Sequence, residues 1–484
     1  MSLGTPGSYL RRSLAFGLAL SLLAGGFAPA RAQQAPAKPP SLPPELIANL
    51  EKLRDAALSS DYAWRQVAHL TENIGPRISG SPQAEHAVHY VADELRHLGL
   101  EVTLEKVMVP HWVRGEEHAA LTLFPDQAPG TTQKIVVTAL GNSAATPATG
   151  LTADVVVVNN FDELTALGRD KVSGRIVLFN EKFDKRLAAQ GLAFHAYGRA
   201  VAYRAKGAEA AKALGAAASL VRTVGSADYR LPHTGFSIPA GIPAGAVTAE
   251  DADLIAHLAQ QGRVTMQLVL TPQTLPDTVS YNVVADLKGS EHPEQIVIVS
   301  GHLDSWDLGT GAIDDGAGVA VAMQAANLCK QLGLRPRRTL RVIAWMDEEN
   351  GGRGNQAYFA EHKSDIANHI AAIESDGGAG HPAGFSGTFK PAAVEALQPI
   401  TKVLEGIGAV VFQAGGEGGS DIAPLSQAGV PGFGISQDGR KYFDYHHSAA
   451  DTLDKIDSHE LAENAAAMAV LAYALADMPQ PLPR

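Results

Sequence analysis

The pattern of hydrophobic and polar positions divides the chain into stretches of different character. Up to residue 109, apolar side chains recur every three or four positions, as Val88, Val91, Leu95 and Leu98 do, and this spacing predicts amphipathic helices. We expect helices over 45–70 and 82–98 and a strand over 100–109. From 110 to 275 the apolar runs are short and separated by turn residues. They predict strands over 135–140, 154–158, 174–179 and 219–222 and a helix over 208–214.

The third stretch, from 276 to 480, alternates strands and helices. The continuous apolar run Ile296–Ser300 is typical of a strand that is buried on both faces. Further strands are predicted over 282–287, 339–346, 370–374 and 431–436, and helices over 316–332 and 461–478. This alternation predicts an α/β domain with a largely parallel sheet. Residues 45–109 would form the N-terminal part of that domain, and 110–275 would form a second α/β domain inserted into it.

The N-terminal 32 residues resemble a secretory signal peptide. Arg11-Arg12 supplies a basic start, 13–27 is apolar and rich in small residues, and Ala30-Arg31-Ala32 fits a cleavage site. We therefore place the mature N-terminus at Gln33 and expect a secreted or periplasmic protein. The adjacent arginines leave both Sec and twin-arginine export open.

Composition narrows the classes of partner. Loss of residues 1–32, which hold three arginines and no acid, takes the formal charge from −12 to −15, which argues against binding to nucleic acid. A Pro-rich leader over 33–44 follows, and no later segment is long and apolar enough to span a bilayer, so we expect no stable membrane anchor. Cys329 is the only cysteine, so an intrachain disulfide is excluded, and its apolar neighbours predict a packing role.

Acidic and imidazole side chains follow the predicted strands of the third stretch. His302 and Asp304 follow one strand, Asp347-Glu348-Glu349 follow the next, Glu374-Ser375-Asp376 follow a third, and 443–451 is rich in both residue types. Sites in such sheets form beyond the carboxyl ends of the strands, so these side chains should meet. Neighbouring carboxylates repel each other unless a cation neutralises them, and imidazole with carboxylate suits zinc. The residues thus predict a metal site, with the number of ions and the substrate left open.

These residues have the spacing of a known enzyme family. The chain carries His302-x-Asp304, Asp314-Asp315-Gly316-x-Gly318, Glu348-Glu349, Asp376 and His447-x-x-x-Asp451-Thr452, which together resemble the M28 family of di-zinc peptidases. The resemblance covers about 45–480. It implies a phosphorylase/hydrolase-like three-layer α/β/α catalytic domain with a mixed, largely parallel sheet. It also likens the insert to a protease-associated (PA) domain that covers the cleft, and it implies a homodimer.

The roles known in the family, carried onto the matching positions, imply a centre of two zinc ions. The resemblance assigns His302 and Asp376 to one ion, Glu349 and His447 to the other, and Asp314 to a bridge between them. A water shared by the two ions would attack the scissile bond. Glu348 would be the general base that takes the proton of this water and hands it to the leaving amine.

Residues beside the predicted ligands have supporting roles. Asp304 is expected to hydrogen-bond the far nitrogen of His302 and so to fix its tautomer. Asp315 is expected to hold the loop around the bridging residue. The resemblance also implies a cis peptide bond between Asp314 and Asp315.

Near the C-terminus the pattern leaves alternatives open. Many M28 aminopeptidases carry Tyr directly before the last His ligand, where it donates to the oxyanion, and here His446 occupies that position as the candidate donor. The three-residue gap to Asp451 favours His447 over His446 as the metal ligand. Asp451 itself either orients His447 or caps the helix that follows. The glycine-rich segment 415–421 resembles the family loop that lines the substrate cleft.

The leading hypothesis is a zinc-dependent exopeptidase that hydrolyses short peptides, dipeptides above all. A broad-specificity M28 aminopeptidase is the alternative enzyme. A catalytically inactive M28-like binding module is a different class, against which the complete ligand set and Glu348 argue. Zinc content separates these classes, since an intact fold without bound metal would favour the binding module. Acyl transfer at a single zinc is disfavoured because no ligand is missing.

Overall fold

The computed structural model describes residues 42–484. The predicted signal peptide, its cleavage after Ala32 and residues 33–41 of the leader lie outside the described residues. Two eight-stranded sheets dominate the described part of the chain. No helix within 42–484 has the length and apolar character needed to cross a membrane.

Helices and strands follow each other along the whole described chain. The helices are α1 (Pro44–Leu58), α2 (Tyr62–Ala68), α3 (Pro82–His97), α4 (Phe161–Val172), α5 (Lys185–Ala189), α6 (Ala193–Ala213), α7 (Ala249–Gln261), α8 (Ala317–Gln331), α9 (Arg353–Glu361), α10 (Pro391–Leu404), α11 (Ala423–Gln427), α12 (Tyr442–Tyr445) and α13 (Ser458–Asp477). The strands are β1 (Glu101–Val113), β2 (Glu117–Leu123), β3 (Gln133–Ile135), β4 (Val137–Ala139), β5 (Leu151–Val158), β6 (Ile176–Phe179), β7 (Ala218–Arg222), β8 (Ala244–Val247), β9 (Thr265–Leu270), β10 (Gln273–Leu287), β11 (His292–His302), β12 (Arg338–Trp345), β13 (His369–Glu374), β14 (Pro382–Gly387), β15 (Val411–Ala414) and β16 (Gly432–Gln437). Short π-helical turns span His69–Ile74 and Ala312–Gly316, and 3-10 turns span Lys363–Asn368, Glu405–Ile407 and Leu453–Lys455.

Local sequence sets the boundaries of helix α3. The hydroxyl of Ser81 caps its N-terminus by accepting from the main-chain N–H of Ala84, and Pro82 stands in the first turn, where no N–H is needed. Gly99 follows the helix with a φ of 77°, a left-handed conformation that glycine adopts without strain. The helix predicted over 82–98 is thereby confirmed.

The first sheet has the order β1-β10-β12-β11-β13-β16-β14-β15. Its central strands β12, β11, β13 and β16 run parallel to one another, while β1, β10 and β14 make antiparallel pairs nearer the edges. The sheet is therefore mixed, as predicted. Because four neighbouring strands run parallel, their carboxyl ends open at the same edge, where sites form in such sheets.

The central strand β11 is buried on both faces. Val297 and Val299 belong to the apolar cluster that also contains residues of α8 and α13, whereas Ile296 and Ile298 belong to a different cluster. Side chains of a strand alternate between faces, so this division confirms the prediction made from the continuous apolar run. Cys329 is buried within α8 as a packing residue, and burial raises the pKa of its thiol to about 12.

The chain leaves the first sheet along β1 and returns along β10. These strands pair antiparallel, and Val113 lies opposite Gln273 where the excursion begins and ends. The residues between them form the second sheet, of order β3-β2-β9-β5-β6-β7-β8-β4. Its two end strands, β3 and β4, are separated along the chain by Val136 alone, so the sheet curls round on itself. The likeness of this insert to a PA domain remains a prediction.

The strand predicted over 282–287 is the end of the longer β10, and three further predicted elements differ from the observed ones. The helix predicted over 45–70 is broken between α1 and α2, because the hydroxyl of Ser60 accepts from the N–H of Tyr62 and competes with helical hydrogen bonding. The strand predicted over 135–140 is two strands, β3 and β4, which pair with different neighbours. The helix predicted over 208–214 is only the end of α6, whose earlier turns mix glycine, aromatic and charged residues without a clear period.

Candidate metal centre

The carboxyl ends of parallel strands bring most of the predicted site together. His302 is the last residue of β11, Glu348 and Glu349 lie just beyond β12, and Asp376 lies two residues beyond β13. His447 follows the short helix α12, which comes after β16. All of these side chains meet at one edge of the first sheet, as the alternation of strands and helices predicted.

Asp314 lies in the middle of the cluster. Its Oδ1 is 3.1 Å from Nε2 of His302, and its Oδ2 is 3.2 Å from Nε2 of His447. On the outer sides, Nε2 of His302 lies 3.5 Å from Oδ1 of Asp376, and Nε2 of His447 lies 2.9 Å from Oε2 of Glu349. Each imidazole therefore faces Asp314 and one further carboxylate, which divides the cluster into two matching halves.

The buried charges of the cluster shift one another's titration. Burial opposes a charge on His447, yet Glu349 and Asp314 raise the pKa of His447 to about 9. Burial, reinforced by Asp314, raises the pKa of Glu349 to about 8. Burial also raises the pKa of Asp376 to about 6, against the opposing effect of His302. At neutral pH, Glu349 would therefore keep its proton unless a cation took the proton's place.

The loop that carries Asp314 is shaped by Asp315 and by glycine. The peptide bond between Asp314 and Asp315 is cis, as the family resemblance implied. The carboxylate of Asp315 accepts from the main-chain N–H of His302 at 3.0 Å and from that of Gly318 at 2.9 Å. A side chain at Gly318 would lie 1.9 Å from the carbonyl oxygen of Ser375, so this close approach requires glycine. The predicted role of Asp315 in holding the loop is confirmed.

Asp304 supports the cluster through both its main chain and its side chain. Its carbonyl oxygen lies 2.9 Å from Nδ1 of His302, whereas its carboxylate stays 3.9 Å from that nitrogen. The main chain of Asp304, and not its carboxylate, is thus placed to fix the tautomer of His302, and the role of Asp304 stays a prediction. Its carboxylate instead accepts from the main-chain N–H groups of Asp347, Glu348 and Glu349, at 2.8, 3.1 and 3.3 Å. It therefore holds the turn that carries the two glutamates.

Asp451 has neither of the two predicted roles. Its Oδ1 accepts from the main-chain N–H groups of Ala312 and Ile313, both at 2.8 Å, and its carbonyl oxygen accepts from the N–H of Thr310 at 2.7 Å. Helix α13 is capped by Asp457 instead. The physical reason is that the main-chain N–H groups in the loop that carries Asp314 are buried. Buried N–H groups need an acceptor, and Asp451 supplies one.

Arg77, which carried no predicted role, connects the loops of the site. It is 0% exposed and donates to five main-chain carbonyl oxygens. The acceptors belong to Leu70, Gly75, Leu303, Thr310 and Gly311. Burial lowers the pKa of Arg77 to about 10, and the nearby carboxylates, Asp451 foremost, oppose that shift. The only sequence signal for this role was that Arg77 follows Gly75-Pro76 in a turn. Its acceptors are main-chain carbonyl groups, which every residue has, so they cannot be recognised from the sequence.

His446 stacks on His447 beside the cluster. The ring centroids are 3.6 Å apart with planes 16° apart. Nε2 of His446 lies 3.5 Å from Oδ2 of Asp314, and its Nδ1 has no hydrogen-bond partner within the described chain. Burial and the neighbouring His447 lower the pKa of His446 well below its ordinary value, which favours the neutral ring. A neutral imidazole keeps one N–H that it can donate to a substrate.

Glu348 lines the cleft together with Glu349, but the two side chains have different partners. The hydroxyl of Ser420 donates to Oε1 of Glu348 at 2.6 Å. Ser420 belongs to the glycine-rich loop 415–421, whose end is tied to the sheet because Glu374 accepts from two main-chain N–H groups there. The loop therefore contacts the predicted base directly.

A cleft of about 330 Å³ opens over the cluster. Four of its lining residues come from the insert: Phe194, Tyr197, Arg204 and Phe236. The first three lie on α6. Residues of the insert therefore line part of the cleft, while its role as a cover of the cleft stays a prediction. Which insert residues would line the cleft was not predictable, because most of α6 itself was not predicted.

Comparison with known proteins decides the family. Residues 282–472 match the model of peptidase family M28. Human carboxypeptidase Q is 41% identical over 435 residues, which cover 88% of each chain. The chain belongs to peptidase family M28. The crystal structure of a peptidase M28 precursor from Shewanella amazonensis matches with a TM-score of 0.85 at 37% identity, over 91% of this chain and 99% of that one.

Membership confirms the resemblance that the motifs carried, and it makes the protein a metallopeptidase. More distant relatives share the fold. An aminopeptidase from Aneurinibacillus sp. strain AM-1 matches with a TM-score of 0.64 at 21% identity, over 90% of this chain and 97% of that one. The α/β fold with a mixed sheet is thus that of M28 peptidases.

Replacing Arg77 tests whether it holds the loops of this M28 site. Lysine offers three N–H donors in place of a planar fork, so Arg77→Lys should leave buried carbonyls unsatisfied, and Arg77→Met should do so more severely. We expect both to lower the free energy of unfolding by at least about 3 kcal/mol in denaturant titrations. Arg65→Met, at an exposed position, should change it by less than about 0.5 kcal/mol. An Arg77→Lys protein as stable as wild type would contradict this role.

Proposed function

We propose that this protein is a zinc-dependent exopeptidase that hydrolyses short peptides, dipeptides above all. The observation that carries the proposal is the pairing of two imidazoles with three carboxylates about Asp314, next to a glutamate that takes no part in the pairing. In this proposal, His302 and Asp376 would hold one zinc ion, Glu349 and His447 would hold the other, and Asp314 would contribute to both. Glu348 is the general base.

The residues of the cluster fit zinc chemically. Oδ2 of Asp314 and Oε1 of Glu349 are buried without a hydrogen-bond partner among residues 42–484, and such atoms are costly to bury unless a cation binds them. Imidazole nitrogen and carboxylate oxygen are ligands that zinc prefers. Three carboxylates offset three of the four positive charges on two zinc ions, so the pair keeps Lewis acidity.

The chain's own residues would move the protons of the reaction. When bound, zinc lowers the pKa of the attacking water and polarises the scissile carbonyl. Glu348 removes a proton from that water and passes it to the amine of the leaving group. Ser420 keeps Glu348 in position through its hydrogen bond of 2.6 Å. His446 donates its single N–H to the carbonyl oxygen as negative charge develops there.

The cleft favours short substrates. Its volume of about 330 Å³ lies near the lower end of the range of about 300–1,000 Å³ for ligand pockets. The insert contributes Phe194, Tyr197, Arg204 and Phe236 to its wall. The names of the relatives support a peptide end as the target, because both refer to one. Human carboxypeptidase Q is 41% identical, and a Bacillus subtilis aminopeptidase is 26% identical over 323 residues.

Substituting the proposed base separates catalysis from metal binding. Glu348→Gln keeps the size of the side chain and an acceptor for Ser420, but it cannot take a proton. We expect kcat for a dipeptide to fall by about 10²–10⁴-fold, with zinc content and melting temperature unchanged. The matched control is Glu361→Gln at an exposed position, which should retain wild-type turnover. Normal turnover by a zinc-loaded Glu348→Gln protein would exclude this role.

Removing the metal should make stability depend on pH. Without metal, the pKa of Glu349 is raised to about 8 and that of Asp376 to about 6. The folded chain then binds protons more tightly than the unfolded chain, so its stability falls as pH rises from about 4.5 to about 8. The imidazolium of His447, whose pKa is raised to about 9, adds stability that is fully present below about pH 6.5 and is lost as pH rises through about 9.

Zinc needs these carboxyl groups deprotonated, so the stabilisation that zinc provides should grow over the same range. We expect the rise in melting temperature on adding zinc to chelator-treated protein to increase steadily from about pH 5 to about pH 8. Thermal unfolding with and without zinc at several pH values measures this. A zinc effect that is the same at every pH would contradict the proposed ligand set.

A further inference from the structure

A loop of the insert contacts the segment of the chain that carries His447. This insert loop spans residues 223–235 and follows strand β7. The main-chain N–H of Thr234 donates to the carbonyl oxygen of His447 at 2.8 Å, and Thr234 is 0% exposed. The hydrogen bond is therefore shielded from water, and it joins the insert to the main chain of a proposed zinc ligand.

The same loop also holds the short helix α12, which comes directly before the two neighbouring histidines. The main-chain N–H of Ser226 donates to the carbonyl oxygen of Phe443 at 3.0 Å. The hydroxyl of Ser226 donates to Oδ1 of Asp444 at 2.6 Å. The insert loop thus binds this segment at two separate places, at α12 and at His447 itself.

The main chain of His447 has a conformation that needs such support. Its φ of 59° lies in the left-handed region, which residues other than glycine rarely adopt and which persists where the surroundings enforce it. A hydrogen bond to its carbonyl oxygen favours one orientation of the peptide group. The contact with Thr234 therefore stabilises the conformation from which the imidazole of His447 faces Asp314 and Glu349.

The insert loop is fixed to the second sheet near both of its ends. The N–H of Thr223 donates to the carbonyl oxygen of Val247 in β8 at 2.8 Å, and the hydroxyl of Thr223 accepts from the N–H of His233 at 2.8 Å. The carbonyl oxygen of Gly235 accepts from the N–H of Gly141 at 3.0 Å. The position of the loop is therefore set by the sheet of the insert.

The insert also reaches the imidazole side of His447, through Trp306. A Cβ atom at Gly141 would come within 2.0 Å of Cη2 of Trp306, so the indole packs directly against the insert. The centre of the Trp306 ring system lies 5.9 Å from that of the His447 ring, with planes 60° apart. The insert thus supports both the main chain and the ring of this histidine.

We propose that the insert loop positions His447, so that the zinc ion assigned to Glu349 and His447 binds tightly only when the insert is docked on this segment. The inference rests on the proposed metal centre and goes beyond it, because it makes one ion depend on a distant part of the chain. Among the described residues, neither His302 nor Asp376 has a hydrogen bond with the insert. The other ion should therefore be independent of the loop.

Removing the hydrogen bond between Ser226 and Asp444 tests this dependence. Cobalt(II) serves as the probe in place of zinc, because its visible absorption reports the ligands around each ion, and His447→Ala identifies the position that this histidine serves. We expect Ser226→Ala and Asp444→Ala each to weaken cobalt binding at that position by about 10- to 100-fold and to leave the other unchanged. The double variant should lose no more than either single one, because one hydrogen bond is at stake.

Two further variants separate positioning from a general loss of structure. Ser226→Thr keeps the hydroxyl and should retain wild-type cobalt binding at both positions. Ser173→Ala, an exposed serine elsewhere in the insert, should also behave as wild type. A merely structural role of the loop would instead weaken both positions together.

Hydrogen exchange gives a readout independent of the variants. Because coupling between two sites is reciprocal, an ion at the His447 position must stabilise the docked loop. Exchange of the N–H groups of Ser226 and Thr234 should slow when the second cobalt ion binds and should be the same with or without it in His447→Ala.

Two results would overturn the inference and leave the metal centre intact. They are wild-type affinity at the His447 position in both Ser226→Ala and Asp444→Ala, and an equal loss at the two positions. A wild-type protein that binds no metal would instead refute the metal centre and the inference together.

Discussion

The contact of Asp314 with two imidazoles is the interaction on which the rest of the structure depends. Its two carboxylate oxygens face His302 and His447 at 3.1 and 3.2 Å, and each imidazole faces a further acid. So many acidic groups cannot stay ionised together in a buried place without a cation. The fold therefore has to hold the ligands rigidly before any metal binds.

Much of the surrounding structure serves that rigidity. His302 is the last residue of the buried strand β11, which holds it in place. Asp315 connects the loop that carries Asp314 to the end of that strand. Arg77 and Asp451 hold the same loop from two other parts of the chain, by satisfying its carbonyl and N–H groups. The charge of Arg77 also offsets part of the negative charge that surrounds Asp314.

The sequence allowed the sheet edge and the cluster to be predicted because both leave local signals. An apolar run such as Ile296–Ser300 marks a buried strand, and acids placed just after successive parallel strands have to converge. The contacts of Arg77 and Asp451 could not be predicted, since their partners are main-chain groups distant in sequence. Arg204 escaped prediction for a related reason, because the helix that carries it has no clear apolar period.

The two sheets contribute different chemistry to one cleft. The first supplies acids and imidazoles at the ends of its strands, while the insert supplies aromatic side chains and the cation of Arg204. Both parts of the chain therefore line the cleft in which we propose that hydrolysis takes place.

The central claim is that Asp314 bridges two zinc ions. Anomalous diffraction from crystals of the zinc-loaded protein, collected on both sides of the zinc absorption edge, tests it most directly. We predict two zinc peaks roughly 3.5–4 Å apart, one on each side of the Asp314 carboxylate, with His302 next to one peak and His447 next to the other. A single peak, or zinc bound away from Asp314, would contradict the account.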